Sequence, residues 1–266
     1  MLGDAQLHAA SDLLYGKWLA GERLHMLPGD SRPATRAEGY AIQALLEKRS
    51  EWPLFGWKIA ATSKAGQRHI GVDGPMAGRI FRERTVAPGS EVSLKSNLMK
   101  VAEIEFAFRM GEDLRPRSAP YDVSEVLAAV RSLHPAIEIP DSRYNDFVTA
   151  GEAQLIADNA CAHLFMLGEP ASANWREIDL SAFPVQAVRA RNGVEEHRAG
   201  VGSNVLGDPR VALTWIANEL SGMGVTLKAG EVVTTGTCMV PIDVLPGDGV
   251  TADYGALGTI SARFTA

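Results

Sequence analysis

Two glutamates in the segment VAEIEFAF (residues 101–108) have the type and spacing that metal chemistry requires. Successive side chains of a β-strand point to opposite faces, so Glu103 and Glu105 would share one face and Ile104 and Phe106 the other. The two carboxylates would then lie roughly 7 Å apart along the strand. At that distance they repel each other unless a cation lies between them. The spacing therefore predicts either half of a metal site or a solvated strand face.

A third carboxylate, Glu138, lies between Ile137 and Ile139 in a segment with little other charge. Burying an unpaired carboxylate is costly, so we expect Glu138 to be neutralised, paired or bound to a metal. Three carboxylates that converge from two strands would form an oxygen-only site, which suits Mg²⁺ or Mn²⁺. The alternative is a salt bridge for Glu138, and spacing alone leaves both interpretations open.

Lys58 and Asp158 are the next candidates for chemistry, because each follows or interrupts an apolar run. An inward-facing Lys58 would carry a desolvated ammonium, which can have a lowered pKa and either donate a proton or anchor a substrate carboxylate. An edge lysine that reaches water is the alternative. Asp158 would orient Lys58 or a water molecule, or would cap a helix. Asp141 and Arg143 are expected to form a local ion pair that holds the loop after Glu138.

The elements that must position these residues form two regions. Apolar periodicity predicts helices over 5–20 and from 36 to about 49, with a capping box at Thr35 and Glu38, and further helices over 122–133 and after Asp208. Short apolar or alternating runs predict strands over 54–60, 101–110, 135–139, 231–235, 249–253 and 259–264. We therefore predict an N-terminal helical and lid region over residues 1–90 and one β-rich catalytic core over 91–266.

Composition narrows the class of protein. The 266 residues carry a formal net charge of −6, which argues against binding to nucleic acid or to an anionic membrane. Two cysteines cannot build a disulfide scaffold, and no apolar run is long enough to span a bilayer. With no secretory signal recognised, we expect a cytoplasmic protein.

Several motifs in a specific order carry a resemblance. They are GWKI (56–59) with TS (62–63), EIE (103–105), PAIEI (135–139) with DSR (141–143), IADNA (156–160), NVLGDP (204–209), LKAG (227–230), TG (235–236), and ADY (252–254) with LGT (257–259). From about residue 40 to residue 264 the chain resembles the fumarylacetoacetate hydrolase superfamily, in its 2-keto-4-pentenoate hydratase and 4-oxalocrotonate decarboxylase branch. The resemblance implies an α+β fold, a mixed β-sandwich or roll with a smaller N-terminal α-containing region.

The resemblance also implies a site. Mg²⁺ or Mn²⁺ would be held by Glu103, Glu105 and Glu138 and would chelate the 2-keto acid end of a small-molecule substrate. Lys58 would lie beside that substrate, with a backbone N–H of the Gly236–Thr237 segment and the Thr237 hydroxyl near its carboxylate. The resemblance also implies that the protein is a homo-oligomer. Hydratases and decarboxylases of this type can form complexes, so a complex with a related decarboxylase is expected as a further partner.

The implied reaction is hydration of a 2-hydroxy-2,4-dienoate to a 4-hydroxy-2-keto acid, in aromatic or related catabolism. The alternatives are decarboxylation of an oxalocrotonate-like diacid, cleavage of an acylpyruvate C–C bond, or a non-catalytic partner subunit. Met76 occupies the position where the hydratases carry an acid, and Asp73 is the nearest substitute. The sequence favours a surface role for His69 and a core position for Cys161, and it places Cys238 near the site.

Overall fold

The structure is a computed structural model that describes residues 1–266. Its six α-helices are α1 (Asp4–Ala20), α2 (Arg36–Ala44), α3 (Lys64–Ile70), α4 (Val123–Ala128), α5 (Glu152–Ala157) and α6 (Pro209–Gly222). The predicted capping box is confirmed, because the Thr35 side chain accepts a hydrogen bond from Glu38 N and the Glu38 carboxylate accepts one from Thr35 N. None of the helices combines the length and the hydrophobicity that a bilayer-spanning segment needs.

Thirteen strands form two sheets. The strands are β1 (Gly56–Ala60), β2 (Met76–Ile80), β3 (Thr85–Val86), β4 (Glu91–Ser93), β5 (Val101–Met110), β6 (Val130–Ile139), β7 (Leu164–Leu167), β8 (Pro184–Arg191), β9 (Val194–Val201), β10 (Val232–Thr237), β11 (Ile242–Asp243), β12 (Gly249–Asp253) and β13 (Thr259–Thr265). The first sheet has the order β2-β1-β10-β5-β6-β7-β3, with β11 paired to β5. The second sheet has the order β4-β13-β12-β8-β9.

Two helix boundaries differ from the prediction. The second helix ends at Ala44 and continues as a 3₁₀ turn to Arg49. The helix predicted over 122–133 ends at Ala128, because Val130 already pairs with Met110 as the first residue of β6. Sheet pairing therefore overrides the local helical pattern at this point.

The first sheet is strongly curled. Residues 81–84 connect β2 at one edge of the sheet directly to β3 at the other edge, so the two edges lie close together. Lys58 on β1 and Glu138 on β6 are three strand positions apart, about 14 Å in a flat sheet. Their side chains nevertheless meet at 3.0 Å across the concave face. Strands β1 to β3 belong to this sheet, so residues 1–90 share it with the core, and the division at residue 90 stays a prediction.

The main hydrophobic core lies between the two sheets. Ile104, Phe106 and Phe108 point from β5 into this core, as the alternation predicted, and the Phe106 ring meets Tyr254 edge-on at 5.3 Å. The concave face of the first sheet has a separate, smaller apolar cluster that includes Ala107, Ala136 and Phe165. Glu103 and Glu105 share this concave face, so the polar side of β5 is enclosed rather than solvated.

Candidate functional site

Three carboxylates converge at one end of the concave face. Glu103 and Glu138 are direct partners in the pairing of β5 with β6, and Glu105 lies two residues along β5 on the same face. One oxygen from each of the three side chains lies within 4.8 Å of the other two. Glu105 and Glu138 are buried, and Glu103 is half-buried. The strand register thus brings together the three residues that the sequence predicted as metal ligands.

The carboxylate oxygens of this triad are poorly satisfied by the protein. Glu105 Oε1 and Glu138 Oε2 are buried without a hydrogen bond, and Glu138 Oε1 has only its ion pair with Lys58. Burial raises the pKa of Glu138 to about 7, against the opposing effect of Lys58. Burial, followed by the charges of Glu138 and Glu103, raises the pKa of Glu105 well above its usual value. Buried, mutually repelling oxygens of this kind fit a divalent cation such as Mg²⁺, for which carboxylate oxygens are the preferred ligands.

A β-bulge in β10 fixes the direction of Glu105. Between Thr234 and Thr237 the pairing with β5 shifts by one residue. Glu105 Oε2 accepts a hydrogen bond from Gly236 N at 2.8 Å and another from the Thr234 hydroxyl. Gly236 has a φ of +98°, and a Cβ there would lie 2.1 Å from Thr62 Oγ1, so only glycine fits. Oε2 is therefore held by the protein, and Oε1 is left for a metal.

Lys58 lies inside the site rather than at an edge, because β1 is flanked by β2 and β10. Its Nζ lies 3.0 Å from Glu138 Oε1 and donates to Ala160 O at 3.0 Å. Burial alone would lower the pKa of Lys58, but the carboxylates, Glu138 foremost, outweigh it and raise the pKa. The structure therefore shows an ammonium stabilised by the triad, not one with a depressed pKa.

Asp158 forms a buried ion pair with Arg143. Its carboxylate accepts from Arg143 Nε, from Arg143 N at 3.0 Å and from Ser142 Oγ at 2.8 Å, and it makes no hydrogen bond to Lys58. The local pair expected between Asp141 and Arg143 is wrong: Arg143 bonds the Asp141 carbonyl, and the Asp141 carboxylate pairs with Arg23. The side chains of Arg143 and Asp158 are both fully buried, so the fold pairs their charges across the loop that separates them in sequence.

The loop after Asp158 has an unusual backbone. Asn159, Ala160 and Cys161 are consecutive non-glycine residues with φ values of 56°, 51° and 61°. Arg143 braces the loop by donating to the carbonyls of Asp158 and Ala162. Such strained residues persist only where the surroundings determine them, and they cluster at functional sites. Here the strain directs the Ala160 carbonyl onto Lys58.

The remaining predicted residues differ in whether they contact the carboxylate triad. Asp73 is exposed and makes no side-chain hydrogen bond or ion pair, whereas Met76 is buried opposite Ala60. The Thr237 hydroxyl donates to Met239 O at 2.8 Å. Gly236 contacts the site through its backbone N–H. The structure thus unites Lys58 and Gly236 with the triad and leaves Asp73 outside it.

Neither His69 nor the two cysteines supply an activated group to the site. His69 is exposed on α3 and meets the Phe147 ring edge-on at 6.5 Å. Burial raises the pKa of the Cys161 thiol to about 12 and also raises that of Cys238, so neither is an activated nucleophile. Sequence reasoning missed Thr234, although a hydroxyl residue two positions before Gly236 at a strand end was a signal for it.

Comparisons with known proteins agree with this geometry. Residues 75–265 match the family model described as "Fumarylacetoacetate (FAA) hydrolase C-terminal". A 4-oxalocrotonate decarboxylase of Pseudomonas putida is 30% identical over 266 residues, covering 99% of this chain and 98% of that protein. A 2-hydroxyhexa-2,4-dienoate hydratase of Comamonas testosteroni is 34% identical over 226 residues, covering 83% of this chain and 81% of that protein.

A solved structure gives the same result in three dimensions. The 4-oxalocrotonate decarboxylase from Pseudomonas putida G7, complexed with magnesium and adipate, has a TM-score of 0.88 and 28% identity over 99% of both chains. The predicted α+β fold class and the predicted resemblance are both confirmed. The family match covers well over half of the sequence, and the chain belongs to the fumarylacetoacetate hydrolase family.

Proposed function

We propose that this protein is a divalent-metal-dependent lyase that acts on 2-oxo acids, and that it hydrates a 2-hydroxy-2,4-dienoate to a 4-hydroxy-2-keto acid. The observation that carries this proposal is the enclosed triad of Glu103, Glu105 and Glu138 with Lys58 Nζ 3.0 Å from one of its oxygens. The curated relatives named as hydratases support it, among them the 34% identical protein of Comamonas testosteroni.

The three glutamates would hold Mg²⁺ or Mn²⁺, and Glu105 is already oriented for this by Thr234 and Gly236. When bound, the cation supplies positive charge that favours the enol form of a 2-oxo acid. Lys58 is the group placed to move a proton, since its Nζ lies between Glu138 and the Ala160 carbonyl. In this scheme the protonated Lys58 gives its proton to C5 of the dienol, and the resulting neutral amine takes the proton of the 2-hydroxyl group, which leaves a 2-oxo-3-enoate. Water then adds across the remaining C3–C4 double bond, with its hydroxyl going to C4 and its proton to C3.

Asp158 acts in this proposal as a positioning residue. It holds Arg143, which braces the left-handed loop whose Ala160 carbonyl contacts Lys58. Thr237 would bind the substrate carboxylate by exchanging its bond to the Met239 carbonyl. Asp73 stays a weaker prediction for the missing acid, because it is exposed and would have to approach when substrate binds.

Decarboxylation of an oxalocrotonate-like diacid is the second candidate. It is favoured by the match over 99% of both chains to the decarboxylase from Pseudomonas putida G7 and by Met76 at the position of the expected acid. Purified protein with Mg²⁺ or Mn²⁺ is given a dienoate, an oxalocrotonate and an acylpyruvate, and products are identified by mass. Gain of water supports the hydratase, loss of CO₂ the decarboxylase, and release of two acids an acylpyruvate hydrolase.

The metal requirement is tested separately. Glu105→Ala should abolish turnover and bound Mg²⁺ while the protein stays folded, and Glu112→Ala, an exposed position just beyond β5, should change neither. Metal content also separates an enzyme from a non-catalytic partner subunit, which would have no need of a loaded site. Activity that survives Glu105→Ala or EDTA would contradict the proposal.

The protein is further proposed to be a homo-oligomer of this 28.5 kDa chain. Trp52, Val194 and Val240 are all more than half exposed, which supports apolar contacts between copies. Light scattering at micromolar concentration should give at least twice the chain mass, and a monomer would refute the proposal. A complex with a related decarboxylase and a cytoplasmic location stay predictions, tested by co-purification and cell fractionation.

A further inference from the structure

Arg84 is a half-buried arginine that the chain leaves without a partner. It lies in the 3₁₀ turn Arg82–Arg84 that connects β2 to β3 across the two edges of the first sheet. Its guanidinium lies over the Trp18 ring, 4.5 Å from Cζ to the ring centroid. No carboxylate, carbonyl or hydroxyl of the chain lies in hydrogen-bond or ion-pair contact with it. No nitrogen of Arg84 is among the buried atoms without a partner, so the guanidinium is open to solvent and free to receive an anion.

The guanidinium borders a cavity of about 140 Å³ at the molecular surface. The rings of Tyr15, Trp18 and Phe81 form much of its wall, together with Leu46. Cavities of about 150 Å³ with apolar walls admit a benzene molecule. The space therefore suits the body of a benzoate-sized molecule.

Arg84 is the cation of this cavity that has no ion-pair partner. Arg49, which also lines it, is already paired with Asp12 and with Ser11 Oγ. The carboxylate of Glu83 lines the cavity too, accepts from Ser50 Oγ at 3.1 Å and makes no ion pair with Arg84. An incoming carboxylate would therefore meet one available guanidinium beside aromatic walls.

This charge is not reached from the metal centre. A second, inner cavity lies between the outer cavity and Glu138. Trp18, Phe81 and Arg84 line both cavities and form the wall between them. Its volume is about 10 Å³, room for one water molecule and not for a substrate chain. An anion at Arg84 must enter from outside, so this cavity is separate from the proposed active site.

We propose that this outer cavity binds a small aromatic carboxylate, with the carboxylate on Arg84 and the ring against Trp18 and Phe81. The structure provides both parts of such a site: a guanidinium with no ion-pair partner and, beside it, a cavity of matching size with aromatic side chains in its wall. A charge-assisted, two-pronged contact is the geometry in which arginine binds carboxylates most strongly. The proposal does not depend on the reaction that the triad catalyses.

Benzoate binding to the full-length protein tests it, by calorimetry and by the change in intrinsic tryptophan fluorescence, to which Trp18 contributes. Arg84→Gln should weaken binding by about tenfold or more, as expected when a hydrogen bond to a charged group is lost. Arg82→Gln is the matched control, because Arg82 lies in the same turn over another ring, that of Phe55, and lines neither cavity. Benzamide, which has the same shape and no charge, should bind at least about tenfold more weakly than benzoate.

Each titration is run with Mg²⁺ and again with EDTA, since benzoate could also bind the metal. Binding that persists in EDTA and is lost in Arg84→Gln supports the site. Binding that disappears with EDTA, that is equal for benzamide, or that survives Arg84→Gln overturns it, as does the absence of saturable binding. If Arg84→Gln does not fold, Leu19→Glu at an exposed position of the rim carries the test, because it offers Arg84 an internal carboxylate and should compete with benzoate.

Discussion

Replacing Glu138 by glutamine should stabilise the metal-free protein at high pH, although it removes a proposed metal ligand. The folded-state pKa of Glu138 is about 7, compared with 4.5 for an ordinary glutamate. Between these values the folded protein holds a proton that the unfolded chain has released, so the stability present below pH 4.5 is lost as the pH rises through 7. At about 1.4 kcal/mol per pH unit, the loss amounts to about 3 kcal/mol.

The physical reason lies in the charges around Lys58. Without a metal, three enclosed carboxylates face one ammonium, and Glu138→Gln leaves two carboxylates for the same cation. For 266 residues the entropy of unfolding is about 0.56 kcal/mol/K, so about 3 kcal/mol corresponds to roughly 5–6 °C in the melting temperature. The variant should therefore melt roughly 5–6 °C above the wild type at pH 8 in EDTA.

Thermal melts at pH 5 and pH 8, each in EDTA and in saturating Mg²⁺, test this reasoning. At pH 5 in EDTA the two proteins should melt within about 2 °C of each other. Mg²⁺ at about 100 times its Kd should stabilise the wild type by about 2.7 kcal/mol and should do little for the variant. Glu112→Gln, at an exposed site, should follow the wild type throughout. A Glu138→Gln variant that melts at or below the wild type at pH 8 in EDTA would refute the reasoning.

Three further predictions concern the frame of the site. Lys58→Met should lower kcat by roughly 10²-fold or more without weakening Mg²⁺ binding, because the carboxylates lose a competing cation; normal turnover would make Lys58 structural. Arg143→Met should cost about 3–5 kcal/mol in urea unfolding, because it leaves the buried Asp158 carboxylate unpaired; a loss below about 1 kcal/mol would contradict this. Gly236→Ala should lose about 1–3 kcal/mol more than Gly230→Ala, because both have positive φ but only Gly236 has Thr62 in the way; equal losses would show that the contact is unimportant.

The triad could be predicted in large part because alternation is a local rule. Two residues on one strand share a face whatever the rest of the fold does, so Glu103 and Glu105 were identified as neighbours. That Glu138 lies opposite Glu103 depends on the register of β5 with β6, which no local pattern encodes. The isolation of Glu138 between two isoleucines marked it as the third candidate, the resemblance favoured the metal role over a salt bridge, and the structure places it beside the other two carboxylates.

Lys58 shows where sequence reasoning fails. Whether a lysine on a strand faces water or the interior depends on which strands flank it, and β1 is flanked by β10, more than 170 residues later in the chain. The sign of its pKa change depends on carboxylates from two other strands. Arg143 is a second example, since its partner was assigned to Asp141 by proximity in sequence, but the fold brings Asp158 to it. In both cases contacts between residues far apart in the chain determine the outcome: the burial and pKa of Lys58, and the ion-pair partner of Arg143.

The strand order of the first sheet determines when the carboxylate site can form while the chain is being synthesised. The Glu105 carboxylate is oriented through its Oε2 by Thr234 and Gly236, and β10 joins the sheet between β1 and β5. A chain still on the ribosome therefore has its three glutamates exposed long before the strand that orients them and separates Lys58 from β5 has emerged. The finished cation site can form only when nearly the whole polypeptide has been translated. We therefore expect metal to load only into molecules in which β10, the last long strand of the first sheet, is in place, so that binding would stabilise the end of folding rather than its beginning.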